Sequence, residues 1–180
     1  MTIRSPALAA LVTRAMTGSD TAVLRCADLL RMRTSPEYHS VVVDSHGPGI
    51  GNIVITDSEL DAIVRLLAEK LSLTTGPPQP WVLYLLGRTG HPQALSILCN
   101  LAEDLLPTAD ATAVTYQVLC SAQDCAEAAG GVIPDRLFAI HETAAAAGDH
   151  QISELATAWL RRHPASLVNG HHVKPDHETR

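Results

Sequence analysis

Three segments of the chain share one layout: TGSDTAVLRCADLL, TGHPQALSILCNLA and AGDHQISELATAWL. Each carries a glycine (Gly18, Gly90, Gly148) with apolar residues four, eight and eleven positions further on. They are Ala22, Cys26 and Leu29; Ala94, Leu98 and Leu101; Ile152, Ala156 and Trp159. Counted from the first apolar residue the spacing is i, i+4, i+7, one face of an α-helix. A glycine behind a helix supplies the left-handed residue that caps it. Ser-Asp or His-Pro then starts the next helix. The implied unit is helix, glycine-led turn, helix. One such pair leaves apolar surface uncovered, so pairs must stack.

The rest of the chain agrees. SPALAALVTRAM has Ser5 as a cap and Pro6 at the first helical position, and TDSELDAIVRLLAEKLSL opens on a Thr56/Glu59 capping box. TTGPPQP is a firm stop, PWVLYLLGR a short buried helix, and HPQALSILCNLAEDLL another that ends at Pro107. Three further helices cover TADATAVTYQVLCSAQDCAEAAGG, IPDRLFAIHETAAAAG and DHQISELATAWLRRH. Residues 35–57 break the pattern. SVVVD and NIVIT are β-branched runs around SHGPGIG, which predicts a small β-hairpin at about 38–56, with an irregular extended excursion as the alternative. The expected organisation is a single helical domain over 1–163, with 35–57 inserted in it. A flexible C-terminal tail over 164–180 follows, since that stretch is poor in apolar residues and lacks a period.

YLLGRTGHPQALSILCNLAEDL resembles the turn and second helix of a HEAT repeat or a related armadillo-like α-solenoid. The carrying features are Leu-Gly near the end of the first helix, a tight polar turn, and a second helix rich in Ala and Leu. The resemblance is clear over 80–107 and weaker over 7–30 and 134–163. The three glycines are unevenly spaced, so an irregular helical bundle stands beside it. The fold class expected is all-α, built of stacked antiparallel helical pairs. The resemblance implies a protein–protein interaction scaffold or adaptor.

Composition narrows the functions. The formal net charge is −6 and no block of Lys or Arg exists, which argues against nucleic acid as partner. Acidity instead suits another protein with a basic patch. The run MTIRSPALAALVTRAM is broken by Thr13 and Arg14, too soon for a secretory core or a membrane span. A cytoplasmic protein is expected, with no membrane partner. Cys26, Cys99, Cys120 and Cys125 sit in helical runs without CxxC spacing, so they read as reduced core thiols.

The loop DSHGPGIGN is the sharpest local feature. It lacks the Lys and the following helix of a nucleotide loop. Asp44, His46, Gly47, Gly49, Gly51 and Asn52 are therefore candidates for a partner- or ligand-contact loop. Asp44 and His46 fall on one side of a strand, and with His39 they make a weaker metal or acid–base candidate. HETAA lacks the second His of a zincin, so His141 reads as a satisfied core histidine. Trp81 and Trp159 both read as core fillers. The expectation is a non-enzymatic scaffold with no cofactor, no metal and no catalytic residues. The alternatives are a small-molecule-binding helical protein or unusual enzyme with its site between helices under the His46 loop, and a toxin-neutralising immunity protein.

Overall fold

The computed structural model describes residues 3–108 and 112–164. The described residues form ten α-helices and no strand: α1 (Pro6–Ala15), α2 (Asp20–Thr34), α3 (His39–His46), α4 (Pro48–Gly51), α5 (Asp57–Ser72), α6 (Pro80–Arg88), α7 (Pro92–Leu105), α8 (Thr112–Ala129), α9 (Asp135–Ala145) and α10 (His150–Arg162). None of them is long and apolar enough to cross a membrane. The tail expected over 164–180 lies outside the described residues from 165 on.

The helix starts follow local chemistry. Ser5 accepts from the N–H of Leu8 with Pro6 at the first position of α1, and the Thr56/Glu59 capping box is formed at α5. Asp149 accepts from the N–H groups of Gln151 and Ile152 at α10. Gly18 (φ 78°), Gly90 (φ 59°) and Gly130 (φ 64°) take the left-handed conformation behind α1, α6 and α8. Gly148 does not, so its expected capping role is corrected. The chain instead leaves α9 through bonds from the N–H groups of Ala146 and Ala147 back to Glu142, Thr143 and Ala144.

The β-hairpin is the main correction. His39–His46 is helix α3, entered from a 3-10 turn at Pro36–Tyr38 that packs on α2. An isolated two-stranded ribbon is marginal in water, whereas a helix pairs its own backbone groups. It also sets Val42 in the core (1% exposed) and turns Val41 outward. After the turn at Asn52, residues 53–56 lead without regular structure to an extended Thr56, with Ile55 buried.

The helices stand in two rows. In one, α6 packs against α2 and most extensively against α8, and α8 against α10. Thr112 at the start of α8 bonds Asp149 at the start of α10 (3.0 Å), and His163 beyond α10 lies 3.8 Å from Glu127 near the end of α8. These two helices therefore run side by side in the same direction. In the other row the N-terminal end of α5 ties its neighbours. Glu59 Oε1 accepts from the N–H groups of Arg4 (3.0 Å) and Ser5 (3.1 Å) before α1, and Asp61 bonds His91 at the start of α7 (2.9 Å). Between the rows lies one connected core of Leu, Val, Ile, Ala and Cys with Phe138 and Trp159.

The α6–α8 contact is close because it is glycine-lined. A Cβ on Gly87 would stand 2.9 Å from the Ser121 carbonyl oxygen, and one on Gly90 2.8 Å from the Ala128 carbonyl carbon. Small facing residues let helix backbones approach and interlock.

Candidate functional site

The segment 44–52 is where α3 stops and the chain reverses. Gly47 (φ 86°) breaks the helix. Gly51 lets the chain fold back, since a Cβ there would stand 2.6 Å from Val43 Cγ2 and 3.0 Å from His39 Nε2. Because 39–46 is helical, Asp44 and His46 point about 200° apart, so the shared face expected of a strand is corrected. His46 Nε2 instead bonds Asp28 Oδ2 on α2 at 2.6 Å. Asp44 and Asn52 are exposed. His39 lies against Gly51. No group of three or more His, Cys, Asp or Glu poised for a metal ion occurs among the described residues.

Of the six loop candidates, His46 and Gly49 come together on one cavity of about 340 Å³ between α1, α2 and the loop. Ala7, Ala10 and Leu11 of α1 form one wall, Ile50 and Ile53 another. Arg14 and Arg25 also line it.

A second surface was not expected. Trp81 and Tyr84 on α6 and Tyr116 on α8 lie on the row with α2, and Tyr38 in the 3-10 turn after α2 stacks with Arg31 of that helix, in a chain that is only 3% aromatic. Trp81 and Tyr84, one turn apart on α6, line a groove of about 460 Å³ with Asp20, Val23 and Leu24 of α2 and Gln117 of α8. Leu24 is 53% exposed there and Tyr116 of α8 40%. Arg88 lies over the Tyr84 ring (5.0 Å to its centroid) and pairs with Asp124 at 3.3 Å. Burial raises the Asp124 carboxyl above its ordinary value, and Arg88 and Arg31 partly offset this. Arg31 in turn stacks on Tyr38 at 3.7 Å. The core role expected for Trp81 is thus corrected to a half-buried one: its indole covers Gly18, where a Cβ would meet Nε1 at 3.3 Å. The signal was visible in PWVLY, which sets Trp81 and Tyr84 on one face of a helix.

Other titratable groups are structural. His141 is fully buried, with Nδ1–H donating to the Leu137 carbonyl (2.8 Å) and Nε2 2.8 Å from the Gln123 amide nitrogen. Its ring stacks on Trp159 at 4.1 Å, and burial pulls its pKa below the ordinary 6.5. Burial pushes the Cys26 thiol up to about 12 and Cys125 up to about 11, so neither is a nucleophile near neutral pH. Cys99 and Cys120 are raised for the same reason.

No protein-family model, no curated protein and no solved structure matches the chain.

Proposed function

We propose that the chain is a non-enzymatic helical scaffold of the HEAT-like kind that binds another protein through the strip on α2, α6 and α8. The observation that carries this is the concentration of Trp81, Tyr84, Tyr116, Arg31 and Arg88 on that one row, with Tyr38 from the adjoining 3-10 turn stacked on Arg31. Trp, Tyr and Arg are the side chains that dominate binding energy in protein interfaces. A row of stacked helices is a rigid platform for them. The resemblance at 80–107 and the paired helices support the same reading.

The lining of the groove supports a reading of what such a partner would carry. Leu24, Val23, Trp81 and Tyr84 would receive an apolar side chain. Asp20 is the one charged residue lining the groove and has no ion pair among the described residues. It would meet a Lys or Arg beside that anchor. This fits the basic partner that the net charge of −6 suggests.

A random peptide library selected on the native protein tests the reading. The expected consensus is a large apolar residue next to Lys or Arg, lost when Leu24→Glu or Asp20→Lys is the bait. No enrichment, or enrichment unchanged by both exposed-site substitutions, would sink it.

A further inference from the structure

We propose that the cavity between α1, α2 and the 46–53 segment binds a small organic oxyanion, a carboxylate or phosphate ester on a compact apolar body, held by Arg14 and Arg25.

The charges come first. Arg14 from the last turn of α1 and Arg25 from the middle of α2 line the same cavity. Neither has an ion-pair partner among the described residues. The chain carries 19 acidic against 13 basic residues, so two arginines on one cavity make a local positive patch on an acidic protein. No carboxylate of the described residues lines the cavity, and Asp28, one turn after Arg25 on α2, is bonded by His46 at 2.6 Å. Two guanidinium groups lining one cavity give it a positive charge that an anion would offset. Their planar donors match the two oxygens of a carboxylate or phosphate.

The rest of the cavity fits the body of such a ligand. Ala7, Ala10 and Leu11 on one side and Ile50 and Ile53 on the other offer an apolar slot, and about 340 Å³ is at the small end of ligand pockets. The alanines leave the space open, since a larger residue at either position would project into it. The His46 ring is held in place by Asp28, so this wall is already organised without ligand. The site is separate from the strip on α2, α6 and α8 proposed for protein binding, and either proposal stands or falls alone.

The probes are hexanoate, hexyl phosphate, hexanol and inorganic phosphate, titrated by calorimetry and thermal shift. A ligand bound only by the native state raises the melting temperature. Saturable binding by hexanoate or hexyl phosphate is expected, at least tenfold tighter than hexanol or inorganic phosphate. Whichever of the two binds more tightly identifies the anion. Arg14→Ala with Arg25→Ala should weaken it at least tenfold with an unchanged circular dichroism spectrum, both residues being exposed, while Arg65→Ala on α5 leaves it intact. Equal binding of hexanol, equal binding of inorganic phosphate, or an unchanged dissociation constant in the double variant would each overturn the proposal.

Discussion

His91 joins two helices with one ring: its Nδ1 accepts from the N–H of Gln93 (3.1 Å) and its Nε2 bonds Asp61 Oδ1 (2.9 Å). Since Nδ1 accepts, Nε2 carries the proton and donates to the carboxylate. The residue is at once the N-cap of α7 and its tie to α5. His91→Ala should cost about 1–2 kcal/mol, the usual cost of removing a cap. His91→Asn should keep the cap and lose the tie. A double-mutant cycle with Asp61→Ala, read by urea unfolding, should give a coupling of about 0.5 kcal/mol, the scale of a partly exposed pair. A coupling of zero would show that the tie does not contribute.

Gly90 and Gly130 share a left-handed conformation but not a neighbourhood. Gly90 faces the Ala128 backbone at 2.8 Å, whereas nothing lies within 4 Å of a Cβ at Gly130 or Gly148. Gly130→Ala should cost about 1 kcal/mol, the left-handed penalty alone. Gly90→Ala adds overpacking and should cost about 2–4 kcal/mol. Gly148→Ala should be neutral or slightly stabilising, because its φ is ordinary. Equal costs at 90 and 130 would show that the α6–α8 approach is softer than it looks.

Acid should destabilise the protein in two separate windows. Burial is the main cause holding the His141 pKa below 6.5, with His163 lowering it further and the Leu137 carbonyl partly opposing. The unfolded chain takes up this proton first. Stability is therefore full above about pH 6.5 and is lost as pH falls from there toward the lower native value. Glu59 follows at more acid pH. Its carboxyl is held below 4.5 chiefly by the Ser5 N–H, then by the N–H and hydroxyl of Thr56, with the Arg4 N–H adding to it. Its contribution is present above about 4.5 and lost as pH falls through the depressed native value. Urea midpoints against pH should lose the upper slope in His141→Gln and the lower one in Glu59→Gln.

Thiol reactivity gives a direct check of packing. Cys26, Cys99 and Cys125 are buried and Cys120 is partly exposed. With a disulfide reagent at pH 8 the native protein should titrate slowly and at one thiol. Cys120→Ser should abolish that phase, and denaturant should release the remaining thiols together. Fast reaction at Cys26 would mean that α1 and α2 part readily.

Most helix boundaries were legible in the sequence, because caps and stops act within a turn or two of themselves. Ser5-Pro6, Thr56 with Glu59, His91-Pro92 and the glycines at 18, 90 and 130 need only their immediate neighbours. His141 was legible as core because it stands on the apolar stripe four residues after Leu137. What failed had a cause outside its own segment. The β-branched run at 41–43 has strand character locally, yet it became helix because α2 offered a surface for Val42 and no strand stood ready to pair. Gly148 has the capping position but ended in an ordinary turn.

The same division holds for the candidate sites. The sequence by itself determined the all-helical class and that His46 and Gly49 stand on a chain reversal, since both depend on short-range periodicity and turn chemistry. Only the tertiary structure decided that Arg14 and Arg25 share a cavity with His46, and that Trp81, Tyr84, Leu24 and Tyr116 share one face. Such groupings depend on which helices become neighbours. That choice is made by close packing, as where Gly87 and Gly90 admit the backbone of α8, and no spacing within a single helix records it.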